Sequence, residues 1–318
     1  MADRDGPSKE LLAGKSPIRI AKRLVLATRP MFFSVSIIPV LLGTAWGVQI
    51  RGELDFGAFI VALITIIFVH ASINVINDVY DDIIGTDSIN EGRIYPFTGG
   101  SRFIQNGILD RKAMLQWGIL LLTIGSVSGS LLALMKAPEV IIFGLIGACL
   151  GVAYSVPPLQ LGARGLGELA VGIGFGLTPI YGSAWLQSGI IDSNTLCIAI
   201  PISCWVFNIL LINEIPDAKA DVVAGKRTLV VRFGISGTQK LYIATNFLAF
   251  LTIGLAVLTD LLPSETIILP MVLVFAAFYV TWSLTQEKRN RGLLITTIKF
   301  TLAIHTLGGI WLTLFIII

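Results

Sequence analysis

Charged side chains are scarce in this chain. They make up 14% of its 318 residues, whereas soluble domains carry about a quarter. Hydrophobic residues account for 54%, and the mean hydropathy is +0.83. This shortage of charge excludes an ordinary soluble domain and predicts an all-α, polytopic membrane bundle. The net charge of +3 is also too small to indicate a nucleic-acid partner.

Cysteine is rare, and the common catalytic motifs are missing. The three cysteines, Cys149, Cys197 and Cys204, lie in apolar runs without paired spacing, which is typical of small core residues and not of a disulfide or zinc framework. The sequence contains no P-loop, G-x-S-x-G or H-E-x-x-H motif, so serine-hydrolase and zinc chemistry have no support. The chemistry must therefore come from acids, asparagines, bases and aromatic residues.

Nine apolar segments are each close to the about 20 residues that cross a bilayer. They cover residues 24–49, 57–80, 113–135, 139–155, 166–187, 194–213, 239–259, 265–284 and 296–317. With the N-terminus in the cytoplasm, every Lys and Arg except Arg51 and Lys136 lies on the inner side, as the positive-inside rule requires. We expect a disordered cytoplasmic tail over residues 1–20, which lack a signal-peptide core, and a single transmembrane domain over residues 21–318.

Two acid-rich stretches follow apolar runs at the predicted cytoplasmic ends of the second and sixth helices. In the first, Asn74, Asp78 and Asp81 share one face of a helix. The second, 213–221, repeats the pattern Asn-acid-x-x-Asp at an offset of 136 residues. Clustered carboxylates repel one another and favour a cation, and Mg²⁺ combines with carboxylates and phosphates. The pair predicts a two-sided clamp for Mg²⁺ and a diphosphate.

Single residues in these stretches add further expectations. Pro216 predicts a helix break that would turn Asp217 and Asp221 inward. Asp87 follows a glycine and could return to the site through a turn, whereas Asp82 points away from the shared face. A plainer interpretation is that the acids only mark the membrane edge, but their density and the repeat of the motif argue against it.

Glycine beside a cation allows close approach to phosphate oxygens. Three short runs have this composition, at residues 99–102, 162–168 and 224–228. Cytoplasmic bases are also expected from topology alone, so most of them have no part in chemistry. Four remain candidates for binding the diphosphate: Arg102, Arg164, Lys226 and Arg227.

Amides and aromatic rings near the two stretches have two interpretations each. Asn74, Asn77 and Asn213 could simply join helices, but two of them directly precede an acid, so we expect all three to bind substrate. Tyr154, at the inner end of the fourth segment, is either an interfacial anchor or a ring that stabilises a carbocation. His70 lies one turn before Asn74 and has the ordinary interpretation of a core histidine.

These motifs resemble the UbiA superfamily of intramembrane prenyltransferases, which has nine helices and two aspartate-rich motifs. The run Asn74-x-x-Asn77-Asp78-x-x-Asp81-x-x-x-Gly85-x-Asp87 looks like the first motif, and Asp217-x-x-x-Asp221 with Ala224-Gly-Lys-Arg-Thr-Leu229 looks like the second. Gly99-Gly100 and Gly165-Leu-Gly-Glu168 are most similar to 1,4-dihydroxy-2-naphthoate prenyltransferases of menaquinone synthesis. Two departures are Pro216, where Arg is frequent, and Pro158, where some relatives have Lys.

The resemblance implies transfer of a prenyl group from a polyprenyl diphosphate to an aromatic acceptor at the cytoplasmic face of the cell membrane. Mg²⁺ would be held by Asp78, Asp81 and Asp217, with Asp221 as a fourth ligand. The asparagines would orient the substrate, and the candidate bases would stabilise the departing diphosphate. Asp87, Asp82 or His70 would accept the acceptor's proton, and the sequence leaves this choice open.

Other functions remain as alternatives. Another member of the superfamily would use 4-hydroxybenzoate, homogentisate, a chlorophyll or haem precursor, or an archaeal lipid precursor as its acceptor. An ion-coupled transporter is disfavoured because its acids would lie near the bilayer midplane. A CDP-alcohol phosphotransferase is disfavoured because its Asp-Gly-x-x-Ala-Arg start is absent.

Overall fold

The computed structural model describes residues 6–285 and 291–317. Every regular element in these ranges is an α, 3₁₀ or π helix, and none is a strand. The α-helices are α1 Lys9–Leu12, α2 Pro17–Ala27, α3 Ser34–Arg51, α4 Phe56–Ile84, α5 Thr86–Ile89, α6 Arg111–Met135, α7 Val140–Ser155, α8 Gly167–Val171, α9 Thr178–Ser188, α10 Thr195–Val223, α11 Leu229–Leu258, α12 Ile268–Thr285 and α13 Arg291–Ile317. A π-helical segment, Gly172–Leu177, joins α8 to α9. The prediction of an all-α membrane bundle is confirmed.

Eight helical segments of the described chain are long and apolar enough to cross a bilayer. The predicted fourth crossing is the shorter helix α7, which has 16 residues. The predicted count of nine crossings and the cytoplasmic N-terminus therefore stay predictions. Lys288 and Arg289, two of the bases assigned to the inner side, lie outside the described residues.

The first predicted span is divided in two. Helix α2 covers residues 17–27, and the crossing helix segment begins only at Pro30. Two residues lie between them, and the second, Arg29, has φ 56°, in the left-handed region, which is costly for a residue with a side chain and separates the two helices. Residues 9–12 of the predicted tail are helical as well, and Leu12 is buried. Residues 1–5 of that tail lie outside the described residues.

Pro216 does not break the sixth crossing helix, so that expectation is wrong. Helix α10 runs without interruption from Thr195 to Val223 and contains both Pro201 and Pro216. Proline removes one backbone donor, but membrane helices tolerate this loss where neighbouring groups satisfy the freed carbonyl. Asp217 and Asp221 consequently face the bundle interior because of their position on α10.

Small residues allow the central helices to approach closely. A side chain at Gly43 of α3 would meet the backbone of Ile180 in α9, and one at Gly47 would meet the backbone of Ala184. This spacing of four residues presents one smooth face of α3 to its neighbour. Helix α4 packs against α6, and α10 packs against α11 and α13. Helices α3, α4, α7 and α10 and the π segment leave a cavity between them.

Candidate active site

The cavity has an acidic end and an apolar end. The acidic end is lined by Asp81, Asp87, Asp217, Asp221, Glu214 and Lys226, and the apolar end by Phe32, Val35, Ile73, Leu150, Phe175, Val206 and Ile209. The two acid-rich motifs therefore meet across one cavity, as their repeat predicts. A single space that joins charged walls to apolar walls suits an amphipathic ligand.

A loop after α5 connects the first motif to the second. The carboxylate of Asp217 accepts hydrogen bonds from Asn90 Nδ2 at 2.7 Å, Thr98 Oγ1 at 3.0 Å and the backbone amide of Gly99 at 3.0 Å. Two residues further on, the amide of Ser101 donates to Asp78 at 2.9 Å. One loop thus fixes a carboxylate from each motif.

Gly100 lies where these carboxylates come together. Its φ of 71° is in the left-handed region, and a Cβ there would lie 2.9 Å from Asp87 Oδ2 and 3.0 Å from Asp78 Oδ1. Only glycine fits this conformation and this space without strain. The Gly99-Gly100 pair noted in the sequence is therefore a close backbone approach to the acids.

Lys226 joins the second motif to the first. Its ammonium lies 2.6 Å from Asp81 Oδ1 and 3.7 Å from Asp221 Oδ1. Burial lowers the pKa of Lys226, but the Asp81 and Asp221 carboxylates outweigh this effect and raise the pKa above its usual value. The side chain is held as a cation among the acids.

Asp87 does return to the site, as its position after a glycine suggests. Its side chain is buried, and its Oδ2 is among the buried oxygens that have no hydrogen-bond partner. Burial, followed by the nearby carboxylates of Asp81 and Asp78, raises the pKa of Asp87 well above its usual value. Arg102 donates to the backbone carbonyl of Asp87 and is not among the cavity-lining residues.

The predicted amides and the tyrosine all line the cavity. Asn74 Nδ2 donates to the carbonyl of Thr28 at 2.9 Å, and Asn77 Nδ2 donates to Ser155 Oγ at 3.2 Å. Asn213 Oδ1 is buried and accepts no hydrogen bond within the described part of the chain. The ring of Tyr154 lies against Gly162 and Gly167, where an added Cβ would approach ring carbons within about 3 Å. These glycines leave the space that the ring occupies beside the cavity.

Two predicted bases lie elsewhere. Arg164 is exposed, and its guanidinium donates to the carbonyl of Pro158 at 2.7 Å. Arg227 is also exposed, and neither residue lines the cavity. Asp82 likewise faces away and forms an ion pair with Arg111 at 2.6 Å. A base next to a glycine in sequence is therefore not enough to bring its charge into the cavity.

Several residues at the site carry weaker sequence signals. Arg29, Asn90 and Thr98 line the cavity, although none lies within either acid-rich motif. Glu214 was visible only as the acid after Asn213. Glu168 is fully buried, and its Oε1 accepts a hydrogen bond from the amide of Leu229 at 3.1 Å, which fixes the start of α11. Only its place in the Gly165-Leu-Gly-Glu168 run pointed to it.

The residues at the acidic end fit a divalent cation that is shared with a phosphate ligand. The described chain holds no group of three acidic, histidine or cysteine side chains close enough to enclose an ion. Yet Asp78 Oδ1, Asp87 Oδ2 and Asn213 Oδ1 are buried and accept no hydrogen bond from any described residue, and such oxygens are costly unless they are satisfied. Mg²⁺ sites with only one or two carboxylates and substrate phosphates have this pattern.

These features define a multi-pass membrane protein whose cavity is acidic at one end and apolar at the other. Comparison of the sequence with known families identifies the class of protein. Residues 36–304 match the UbiA prenyltransferase family, and the chain belongs to that family. It is an enzyme that transfers alkyl groups.

Individual relatives extend this assignment. The chain is 28% identical over 221 residues to 1,4-dihydroxy-2-naphthoate octaprenyltransferase of Mycobacterium leprae, covering 69% of this chain and 71% of that protein. It is 31% identical over 214 residues to the enzyme of the same name from Haemophilus influenzae, covering 65% and 67%. A UbiA homologue from Archaeoglobus fulgidus, solved with DMAPP and Mg²⁺, has a TM-score of 0.63 at 17% identity and covers 91% of this chain and 98% of that chain.

Proposed function

We propose that this enzyme transfers a polyprenyl group from its diphosphate to 1,4-dihydroxy-2-naphthoate, in a Mg²⁺-dependent step of menaquinone synthesis. One observation carries the proposal: the two acid-rich motifs face each other at one end of a cavity whose other end is apolar. A prenyl diphosphate is charged at one end and apolar along its chain, so its two parts match the two ends. The relatives named for naphthoate prenylation support the choice of acceptor.

The residues at the acidic end would bind the diphosphate head of this donor. Each Mg²⁺ would take one or two carboxylates from Asp78, Asp81, Asp217 and Asp221 and its other ligands from phosphate oxygens. When bound, it neutralises the diphosphate and makes it a better leaving group. Asn77 and Asn213 orient the head group. Lys226 lies between the two motifs and stabilises charge that develops on the departing diphosphate.

Asp87 and Arg102 support this arrangement from the first motif. Asp87 adds a carboxylate to the acidic end, and Arg102 fixes the loop through the Asp87 carbonyl. Arg164 and Arg227 have no contact with the cavity in the described chain, so we assign them no part in diphosphate binding.

The apolar wall protects the reaction from water. Leu150, Val206 and Ile209 line the apolar end beside the prenyl chain, and exclusion of water prevents hydrolysis of an allylic cation. The ring of Tyr154 also lines the cavity, and its electron-rich face stabilises positive charge. With the predicted topology, the acidic end opens at the cytoplasmic face of the cell membrane.

The direct test uses purified protein, Mg²⁺, a labelled polyprenyl diphosphate and four acceptors: 1,4-dihydroxy-2-naphthoate, 4-hydroxybenzoate, homogentisate and geranylgeranylglyceryl phosphate. A labelled product with the naphthoate, lost on chelation and restored by Mg²⁺, is the expected result. Product from another acceptor alone would keep the reaction class and reject the proposed acceptor. Release of free polyprenol without any alkylated acceptor would reject prenyl transfer to these rings.

A further inference from the structure

His70 is a polar side chain at the apolar part of the cavity. It lies on α4, eight residues before Asp78, which corresponds to about 12 Å along the helix. It lines the cavity and is 5% exposed. The apolar residues Phe32, Val35 and Ile73 line the same part of the space. An imidazole in such surroundings is costly unless it has hydrogen-bond partners.

The imidazole is held on three sides. His70 Nδ1 lies 2.7 Å from Ser36 Oγ of α3, and both side chains are buried. The ring centroid lies 4.5 Å from that of Phe175 and 5.5 Å from that of Phe33, the second pair in an edge-on arrangement. The ring therefore has one orientation. Its other nitrogen, Nε2, has no hydrogen bond to any described residue and is left for a ligand.

A prenyl chain cannot satisfy this nitrogen because it carries no hydrogen-bonding group. A hydroxylated aromatic ring can, and it also stacks against aromatic side chains such as Phe175. Arg29 also lines the cavity. Its Nη1 lies 3.8 Å from Asp78 Oδ1, and its buried Nε donates no hydrogen bond to any described residue. Its positive charge favours an acceptor that carries a carboxylate.

We propose that His70, oriented by Ser36, binds a ring hydroxyl of the aromatic acceptor through Nε2 and so selects hydroxylated rings. The inference rests on the proposed function and names the acceptor's binding group within the same cavity. Either tautomer serves, since Nε2 donates a hydrogen bond to the hydroxyl oxygen in one and accepts a hydrogen bond from the hydroxyl group in the other. His70 is the substrate-contacting residue, and Ser36 is a positioning residue.

Three substitutions at His70 separate acceptor binding from a structural role. Glutamine places its terminal amide near the position of Nε2, and asparagine places it near Nδ1, beside Ser36. We expect His70→Phe and His70→Asn to raise KM for the naphthoate about tenfold, with KM for the prenyl diphosphate unchanged, and His70→Gln to retain most of the affinity. Rescue by asparagine and not by glutamine would show that only the Ser36 contact matters and would overturn the proposal.

A substrate lacking one hydroxyl tests the same contact from the other side. We expect wild-type protein to prefer 1,4-dihydroxy-2-naphthoate over the two monohydroxy-2-naphthoates, and His70→Phe to lose that preference for one of them. Unchanged discrimination in His70→Phe would overturn the proposal, because the two changes would then be independent. Absence of product from wild-type protein with any acceptor would instead overturn the proposed function, and this inference with it.

His305 provides a matched control. It is the other histidine of the chain, is fully buried on α13 and lies outside the cavity lining. Neither of its nitrogens forms a hydrogen bond with a described residue. We expect His305→Phe and His305→Leu to keep wild-type kinetics. In either variant His70 is the one remaining imidazole, so ¹⁵N-histidine NMR reports on it alone. Its Nε2 signal should shift with the naphthoate and not with inorganic diphosphate; no shift on saturation with the naphthoate would overturn the proposal.

Discussion

The ammonium of Lys226 and the carboxylate of Asp81 form a 2.6 Å ion pair across 145 residues of sequence. Asp81 belongs to the end of α4, and Lys226 follows the end of α10. The contact brings the cation of one motif onto the acid of the other. It places Lys226 where charge from a diphosphate would collect, whereas its neighbour Arg227 faces outward.

Removing this cation should reduce turnover strongly. We expect Lys226→Met to lower kcat/KM about 100-fold, because a preformed positive charge no longer stabilises the leaving group. Arg227→Met is the matched control and should stay within about twofold of wild type. Steady-state kinetics with varied prenyl diphosphate measure both. Equal losses in the two variants would show that net charge, and not the position of Lys226, matters.

The carboxylates that we assign to Mg²⁺ should be sensitive to neutralisation. Asp78→Asn, Asp81→Asn and Asp217→Asn are each expected to lower kcat about 100-fold or more while the protein stays folded in detergent. Asp82→Asn, which loses the outward ion pair with Arg111, should keep its activity. Mg²⁺ titrations of the residual activity provide the measurement. Wild-type rates in all three variants would end the clamp hypothesis.

Gly100 should not tolerate a side chain. An added Cβ would meet the Asp87 and Asp78 carboxylates, so Gly100→Ala is expected to displace both and to abolish most activity. Gly107→Ala controls for backbone strain, since Gly107 has a similar φ of 64° and no heavy atom within 4 Å of an added Cβ. In each variant the free energy of unfolding should fall by about 1–2 kcal/mol, because alanine is strained in the left-handed conformation. Similar activity in the two would contradict the proposed crowding at Gly100.

The contact between α3 and α9 gives a prediction about stability. Gly43→Ala would place a methyl group against the backbone of Ile180, and overpacking of this kind costs about 1–3 kcal/mol. Gly144→Ala on α7 has open space around the new methyl group and should not destabilise the protein. Thermal unfolding in one detergent compares them. A Gly43→Ala variant as stable as Gly144→Ala would show that the helices can separate at little cost.

Helix periodicity accounts for what was predicted correctly at the site. Asn74, Asp78 and Asp81 recur every three to four residues, so they share a face wherever α4 lies, and all but the buried Asp78 line the cavity directly. The local rule that proline ends a helix fails at Pro216, where α10 is continuous and packs against α11 and α13. Membrane surroundings favour a continuous helix, since a broken one would leave further carbonyls without partners.

Loop residues have no comparable periodicity, so their contacts could not be predicted in this way. Asn90, Thr98 and Gly99 bind Asp217 although 118 to 127 residues separate them from it. The Gly99-Gly100 pair predicts that the backbone lies close to another group, but it does not identify that group. Among the bases, Lys226 and Arg227 are adjacent in sequence, and only the direction of the turn after α10 separates the half-buried cation from the exposed one.

Composition, apolar segment lengths and the repeated acidic motif determined by themselves that this is an all-α membrane enzyme with its acids in two related stretches. These properties are local, because hydrophobicity and helical period are set by neighbouring residues. The tertiary structure decided that α10 continues through Pro216, that Arg164 and Arg227 lie outside the cavity, and that His70 meets Ser36 and Phe175. Those outcomes depend on contacts between distant segments, and packing of the whole bundle is what brings such segments together.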